Sequence, residues 1–102
     1  MTPGCTIIGV LRAQPDKRDE LFEILLGFVA PTRIEPGCLD YHVHASDDDP
    51  NRFMFYENWR SRKDLEDHLE MPHLLVLRER GKELLAADVE IRSYTMHSLY
   101  SP

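Results

Sequence analysis

The spacing of apolar residues changes once in the first third of the chain. Cys5 to Ala13 is dense in β-branched and apolar side chains (Thr6, Ile7, Ile8, Val10 and Leu11), which predicts a strand. Pro15-Asp16 closes it, with Asp16 placed as the N-cap of the next element. Leu21, Phe22, Ile24, Leu25, Phe28 and Val29 then recur at helical spacing among Lys17, Arg18, Asp19, Glu20 and Glu23. The apolar stripe is wide, as expected for a helix lying on a sheet. Pro31 is expected to end or kink this helix, and Arg33 and Glu35 lead to a Pro36-Gly37 turn.

Cys38 to Ala45 alternates as a second strand, with Leu39, Tyr41, Val43 and Ala45 on one face and Asp40, His42 and His44 on the other. The acidic stretch Ser46 to Asn51 reads as a hairpin connection, which makes a third strand, Phe53 to Trp59, antiparallel to the second. Ser61-x-x-Asp64 is a capping box for a short helix. Met71-Pro72 interrupts that helix, and a further one carrying Leu74, Leu77, Leu84 and Leu85 is predicted to reach about Ala87. Val89 to Leu99 supplies a last strand, with Ile91, Ser93, Thr95 and His97 on one face and Glu90, Arg92, Tyr94 and Met96 on the other.

This order, β-α-β-β-α-α-β, predicts an α+β, ferredoxin-like split βαβ domain: one antiparallel sheet with its helices on one side. Alternation leaves Ile8, Val10, Met54, Tyr56, Tyr94 and Met96 on the other side. So much apolar surface predicts a partner subunit there, hence a homodimer through the open sheet face.

At 102 residues the chain is read as a single domain, 1–102. A formal charge of −6 with scattered Lys and Arg argues against nucleic acid and anionic membrane as partners. No apolar run is long enough for a membrane span, and no signal-peptide pattern opens the chain, so a cytoplasmic protein is expected. Cys5 and Cys38 make neither a disulfide framework nor a zinc site and are expected as free thiols on strands.

The candidate chemistry lies in Phe53 to His73. Phe53, Phe55, Glu57 and Trp59 share one strand face, so if the phenylalanines look toward the helices Glu57 does too. A buried carboxylate needs a partner. It is either a structural group bonded to Arg33, a helix end or a histidine, or a site carboxylate whose raised pKa lets it take up a proton. His68, three residues after Leu65, and His73, four before Leu77, are both placed facing the sheet. A lone inward histidine is an ordinary core residue, whereas two beside an inward glutamate suit acid–base work. His42 and His44 belong to the opposite face as interface residues. The spacing of Glu57, His68 and His73 matches no metal motif, so no metal is assigned. Trp59 and Tyr41 serve equally as core aromatics or as walls for a flat aromatic molecule. Phosphate loops, a G-x-S-x-G elbow and dinucleotide fingerprints are missing, so no cofactor is expected.

Glu35-Pro36-Gly37-Cys38-Leu39-Asp40-Tyr41, Asp49-Pro50, Phe53, Tyr56-Glu57-Asn58-Trp59, Asp64-Leu65, His68 and Pro72-His73 together resemble the antibiotic biosynthesis monooxygenase family in order and spacing. The resemblance implies a dimeric α+β barrel with a pocket in each protomer between sheet and helices. It also implies oxidation of a quinol or polyphenolic aromatic by O2 without flavin, haem or metal. On that basis His68, His73 and Glu57 are the catalytic candidates. Trp59, Tyr41, Phe55 and Arg33 are the substrate-binding candidates, with Trp59 as a stacking wall and Arg33 as the one cation for an anionic substrate. The alternatives are a non-oxidative small-metabolite isomerase on the same scaffold and a non-catalytic dimeric binding module. The family's tailoring oxygenases carry an inward Asn near where Phe55 falls, and its haem-degrading members carry one on the first strand. This chain has neither.

Overall fold

The computed structural model describes residues 3–98. Strand β1 (Gly4–Arg12) lies between β3 (Arg52–Trp59) and β4 (Glu90–Met96), and β2 (Cys38–Ala45) pairs with the outer edge of β3. All pairings are antiparallel in the order β2-β3-β1-β4, the arrangement that a split βαβ order requires. Alternation decides the faces as expected. Cys5, Ile7 and Leu11 of β1 and Phe53, Glu57 and Trp59 of β3 are buried on the helix side. Gly9 sits opposite Phe55, and a Cβ there would lie 2.3 Å from that ring, so only glycine lets Phe55 lie across β1.

A 3-10 turn at Pro15–Lys17 leads into α1 (Arg18–Gly27), followed by α2 (Val29–Arg33). Asp16 is inside the turn and gives no side-chain cap, so the N-cap expectation is corrected: Pro15 opens the turn with its φ already set. Pro31 ends the first helix at a distance. Its ring and missing N–H act on the carbonyl four residues earlier, Gly27, so the break falls at Phe28 and the chain resumes helical hydrogen bonding with Thr32 N–H to Phe28 O at 3.1 Å. Leu21, Leu25, Phe28, Phe53, Leu11 and Leu84 form the larger core beneath α1. Cys5, Ile7, Trp59 and Leu65 form a second, under α3 (Arg62–Leu69). Ser61 caps α3: its Oγ accepts the Asp64 N–H at 3.2 Å and its hydroxyl donates to the Asp64 carboxylate at 2.9 Å.

Further expectations are corrected. A bulge between Cys38 and Asp40 takes Leu39 out of register, leaving it 41% exposed instead of on the inner face with Tyr41. After the 3-10 turn Pro72–Leu74, helix α4 (Leu75–Leu84) stops short of Ala87. The end of β1 captures the chain there, with Leu85 bridging Ala13, Gln14 N–H on Leu84 O, and Ala86 N–H on Arg12 O. The predicted end of the last strand, Leu99, lies outside the described residues. From Glu90 to Thr95, β4 is exposed on both faces, so no helix covers it on the inner side.

The open face carries the expected residues. Ile8, Val10, Met54 and Met96 are half-buried, and Tyr56 and Tyr94 are exposed. Asn58 on this face is nonetheless buried, bonded by the Thr6 hydroxyl and donating to Asp40 Oδ2 at 3.0 Å. Among the described residues no helix is long and apolar enough to cross a membrane.

Candidate active site

The site is assembled from the end of α2, the middle of β3, the last turn of α3 and the start of the Pro72–Leu74 turn. The stripe Leu21, Leu25, Phe28 continues at the same spacing to Thr32 and Glu35, all of them buried. It thereby carries a hydroxyl and a carboxylate inward past the end of the helix. Gly37, at φ +82°, then turns the chain into β2, where its carbonyl accepts Arg60 N–H at 2.8 Å.

Glu35 Oε2 accepts from His68 Nδ1 at 2.9 Å and lies 3.4 Å from His73 Nε2, while Thr32 Oγ1 is 3.0 Å from the same His73 nitrogen. Glu35 Oε1 is buried with no hydrogen-bond partner among the described residues. On the other edge of the His68 ring, Nε2 is 3.8 Å from Glu57 Oε1, which accepts the Trp59 indole N–H at 2.9 Å. Trp59 also packs its ring 4.6 Å from His68, centroid to centroid. With Nδ1–H engaged by Glu35, the assigned tautomer leaves His68 Nε2 as a base facing Glu57.

Electrostatics follow from this crowding. Burial, with the Glu35 charge adding to it, pushes the Glu57 carboxyl up to about 7 against the opposing pull of the Trp59 hydrogen bond. Burial lowers His73, with Glu35 opposing and His68 adding. Burial raises the Tyr41 phenol, helped by Glu57 and Glu35. Burial and the Glu35 charge push the Cys38 thiol up to about 11, which removes it as a nucleophile near neutrality.

A cavity of about 360 Å³ opens between the sheet and α3–α4. Its walls are apolar, formed by Ile7, Phe28, Phe55, Leu65, Leu77 and Val89 among others, and its polar lining consists of Tyr41, Glu57, His68 and Arg78. Of the sequence candidates, Glu57, His68, Tyr41 and Phe55 therefore meet at the cavity. Trp59 is wholly buried behind it, holding Glu57 and His68 rather than presenting a stacking wall. His73 does not line the cavity; its Nε2 lies 3.4 Å from Glu35 Oε2, and its ring packs against Phe28 and His68, both at 6.0 Å between centroids. Arg33 is elsewhere, its guanidinium on the Tyr41 carbonyl at 2.9 Å and beside the His42 ring.

Glu35, His68 and His73 are also the one trio, among the described residues, whose donor atoms lie close enough together for a metal to be considered, within 4.8 Å of one another. Those atoms are already engaged with each other and with Thr32, so the trio reads as a hydrogen-bonded chain.

The family model for antibiotic biosynthesis monooxygenase matches residues 5–80 and so takes in every polar group of the site. The chain belongs to that family. Among solved structures of the family's fold, PA3566 of Pseudomonas aeruginosa is 33% identical with a TM-score of 0.87, over 96% of this chain and 97% of that one. Rv0793 of Mycobacterium tuberculosis is 31% identical with a TM-score of 0.87, over 96% and 99%. In sequence comparison Rv0793, which bears a provisional monooxygenase name, is 34% identical over 89% of each chain. The Synechocystis protein sll1783 is 34% identical over 86% of this chain, which spans only 60% of that relative's length.

Within this family member, sequence reasoning misses three site residues. Glu35 reads in its motif only as the lead into a turn; the Leu21, Leu25, Phe28 spacing, extended to Thr32 and Glu35, is the available signal. Thr32 is missed for the same reason. Arg78, one residue after Leu77 on α4, lines the cavity and donates to the Leu69 carbonyl. Nothing in its spacing marks it.

Proposed function

We propose that this chain is a cofactor-independent monooxygenase that oxidises a quinol or polyphenolic aromatic with O2. The observation that carries the reading is the cavity itself: aromatic and aliphatic walls around one histidine whose free nitrogen faces a proton-holding carboxyl. His68 Nε2 takes the phenolic proton, held in register by Glu35, and is a catalytic residue. Glu57, poised near neutrality, accepts or returns a proton beside it. Trp59 and Glu35 act through these two and are positioning residues. The deprotonated quinol is electron-rich enough to reduce O2 itself, and the apolar walls keep water from the reduced oxygen. The balance closes without another reductant. A quinol and O2 give a hydroxyquinone and water, the quinol supplying all four electrons. A second copy of the chain on the open sheet face completes the reading, supported by the apolar residues and exposed tyrosines there.

The test is oxygen uptake by metal-stripped protein over a panel of quinols and hydroxylated polycyclic aromatics. Uptake above the autoxidation blank, lost in His68→Ala, supports the proposal; none across the panel sinks it. Arg78 on the cavity lining favours a second reading, a non-oxidative isomerase of a small anionic metabolite, because a guanidinium there would hold a carboxylate or phosphate. That reading expects an Arg78-dependent affinity for inorganic phosphate and no oxygen uptake.

A further inference from the structure

The acid–base groups do not end at the cavity. From Glu57 and His68, about 3% exposed, the chain of polar contacts runs outward through Glu35 to His73, whose side chain is 21% exposed. The steps are short: 2.9 Å from His68 Nδ1 to Glu35 Oε2, then 3.4 Å to His73 Nε2, with Thr32 Oγ1 at 3.0 Å from that nitrogen. Apart from this chain, the cavity lining around the buried pair is apolar except for the Tyr41 phenol and the Arg78 guanidinium, and the Cys38 thiol packs against the core beside it.

We propose that Glu35 and His73 form a proton path between His68 and solvent, with His73 as its outer terminus and Thr32 as the group that orients it. The inference rests on His68 being the base of the reaction proposed above. The geometry explains two features a merely structural cluster would not need. First, one Glu35 oxygen faces both imidazoles, so a proton accepted from one is already in reach of the other. Second, Thr32 is wholly buried yet places its hydroxyl on His73 Nε2, where it can donate to the bare nitrogen or accept from the protonated one.

The transfers balance. When the substrate O–H bond breaks, its proton bonds to His68 Nε2 and the Nδ1 proton passes to Glu35 Oε2. Glu35 gives it to His73 Nε2, and His73 releases its Nδ1 proton to water. When the oxygen–oxygen bond is cleaved, His68 Nε2–H protonates the departing oxygen, and a proton returns from water by the same steps. The path resets once per turnover and consumes nothing.

The experiment is solvent exchange of the His68 Nδ1–H, followed by saturation transfer in nitrogen-15 imidazole spectra of the wild type, His73→Gln and Glu35→Gln. Both substitutions are close in shape, and His73 lies near the surface, so folding is retained. Exchange slowed about tenfold or more in both variants, with the Nδ1–H shift retained in His73→Gln, supports the path. An unchanged rate in His73→Gln overturns it, because the proton then leaves by the cavity. If a quinol of the oxygen-uptake panel turns over, His73→Gln lowers kcat about tenfold or more with KM unmoved, and added imidazole restores it. An unchanged kcat overturns the path as part of catalysis. If no quinol turns over, the functional reading fails alone and the exchange rates still decide the path.

Discussion

The indole N–H of Trp59 donates to Glu57 Oε1 at 2.9 Å, between side chains two residues apart on one strand face and both buried. This local pair sets the chemistry of the cavity floor. The bond favours ionised Glu57 while burial and Glu35 oppose it, which leaves the carboxyl at about 7. In Trp59→Phe the donor is gone, Glu57 moves further up, and a carboxyl C=O infrared band persists to higher pH than in the wild type. The same substitution should lower stability by about 1–3 kcal/mol in denaturant unfolding, since it leaves a buried acceptor short of its donor.

Glu57 predicts a signed pH dependence. Its folded pKa of about 7 stands above its ordinary 4.5, so the folded protein holds a proton that the unfolded chain has released between those values. Its stabilising contribution is full below about 4.5 and is lost as pH rises through 7. His73, lowered by burial, acts in the opposite sense: its contribution is present above 6.5 and lost as pH falls through its folded value. The Glu57 part is therefore read as the difference between the wild type and Glu57→Gln in urea midpoints from pH 4.5 to 8. The gap should shift in favour of the variant as pH rises. A constant gap would refute the assignment.

Gly37→Ala should be among the most destabilising single changes away from the core. Position 37 has φ +82°, and a Cβ there would sit 2.2 Å from the Asp64 carboxyl carbon that helps cap α3. Left-handed strain plus displacement of the cap predicts a loss of about 2–4 kcal/mol by thermal or denaturant unfolding. The variant should also raise KM or abolish turnover, because Glu35 stands two residues before the turn.

Cys38 should resist thiol reagents in the folded state. With its thiol pushed up to about 11 by burial and by the Glu35 charge, only about one molecule in a thousand is thiolate at pH 8. Modification by a chromogenic disulfide should be slow until denaturant is added. Fast labelling of the native protein would show the site to be more open than the geometry describes.

Placing a charge on the open face should dissociate the proposed second copy. Val10→Asp sits at the centre of the row His44, Met54, Val10 and Glu90, away from the cavity. Light scattering should give half the wild-type mass; an unchanged mass would place any interface elsewhere.

The strands, the helix order and the α3 cap were legible because each depends on neighbours along the chain. Alternation in Cys5–Leu11 and Phe53–Trp59 settles which side chains turn inward, and Ser61 with Asp64 is a cap wherever it occurs. The inward Glu57 and His68 followed from the same local periodicity. The features that the chain did not disclose depend on distant segments. Leu39 leaves its face because a bulge forms against β3, and α4 ends early because β1 claims Leu85. Glu35 meets His68 across 33 positions of sequence, and only the packing of α2's end against α3 makes that carboxylate a partner rather than a turn residue. Arg33 turns away from the cavity and Arg78 lines it for the same reason: periodicity tells which face a side chain takes, but what stands opposite that face is decided by the tertiary fold.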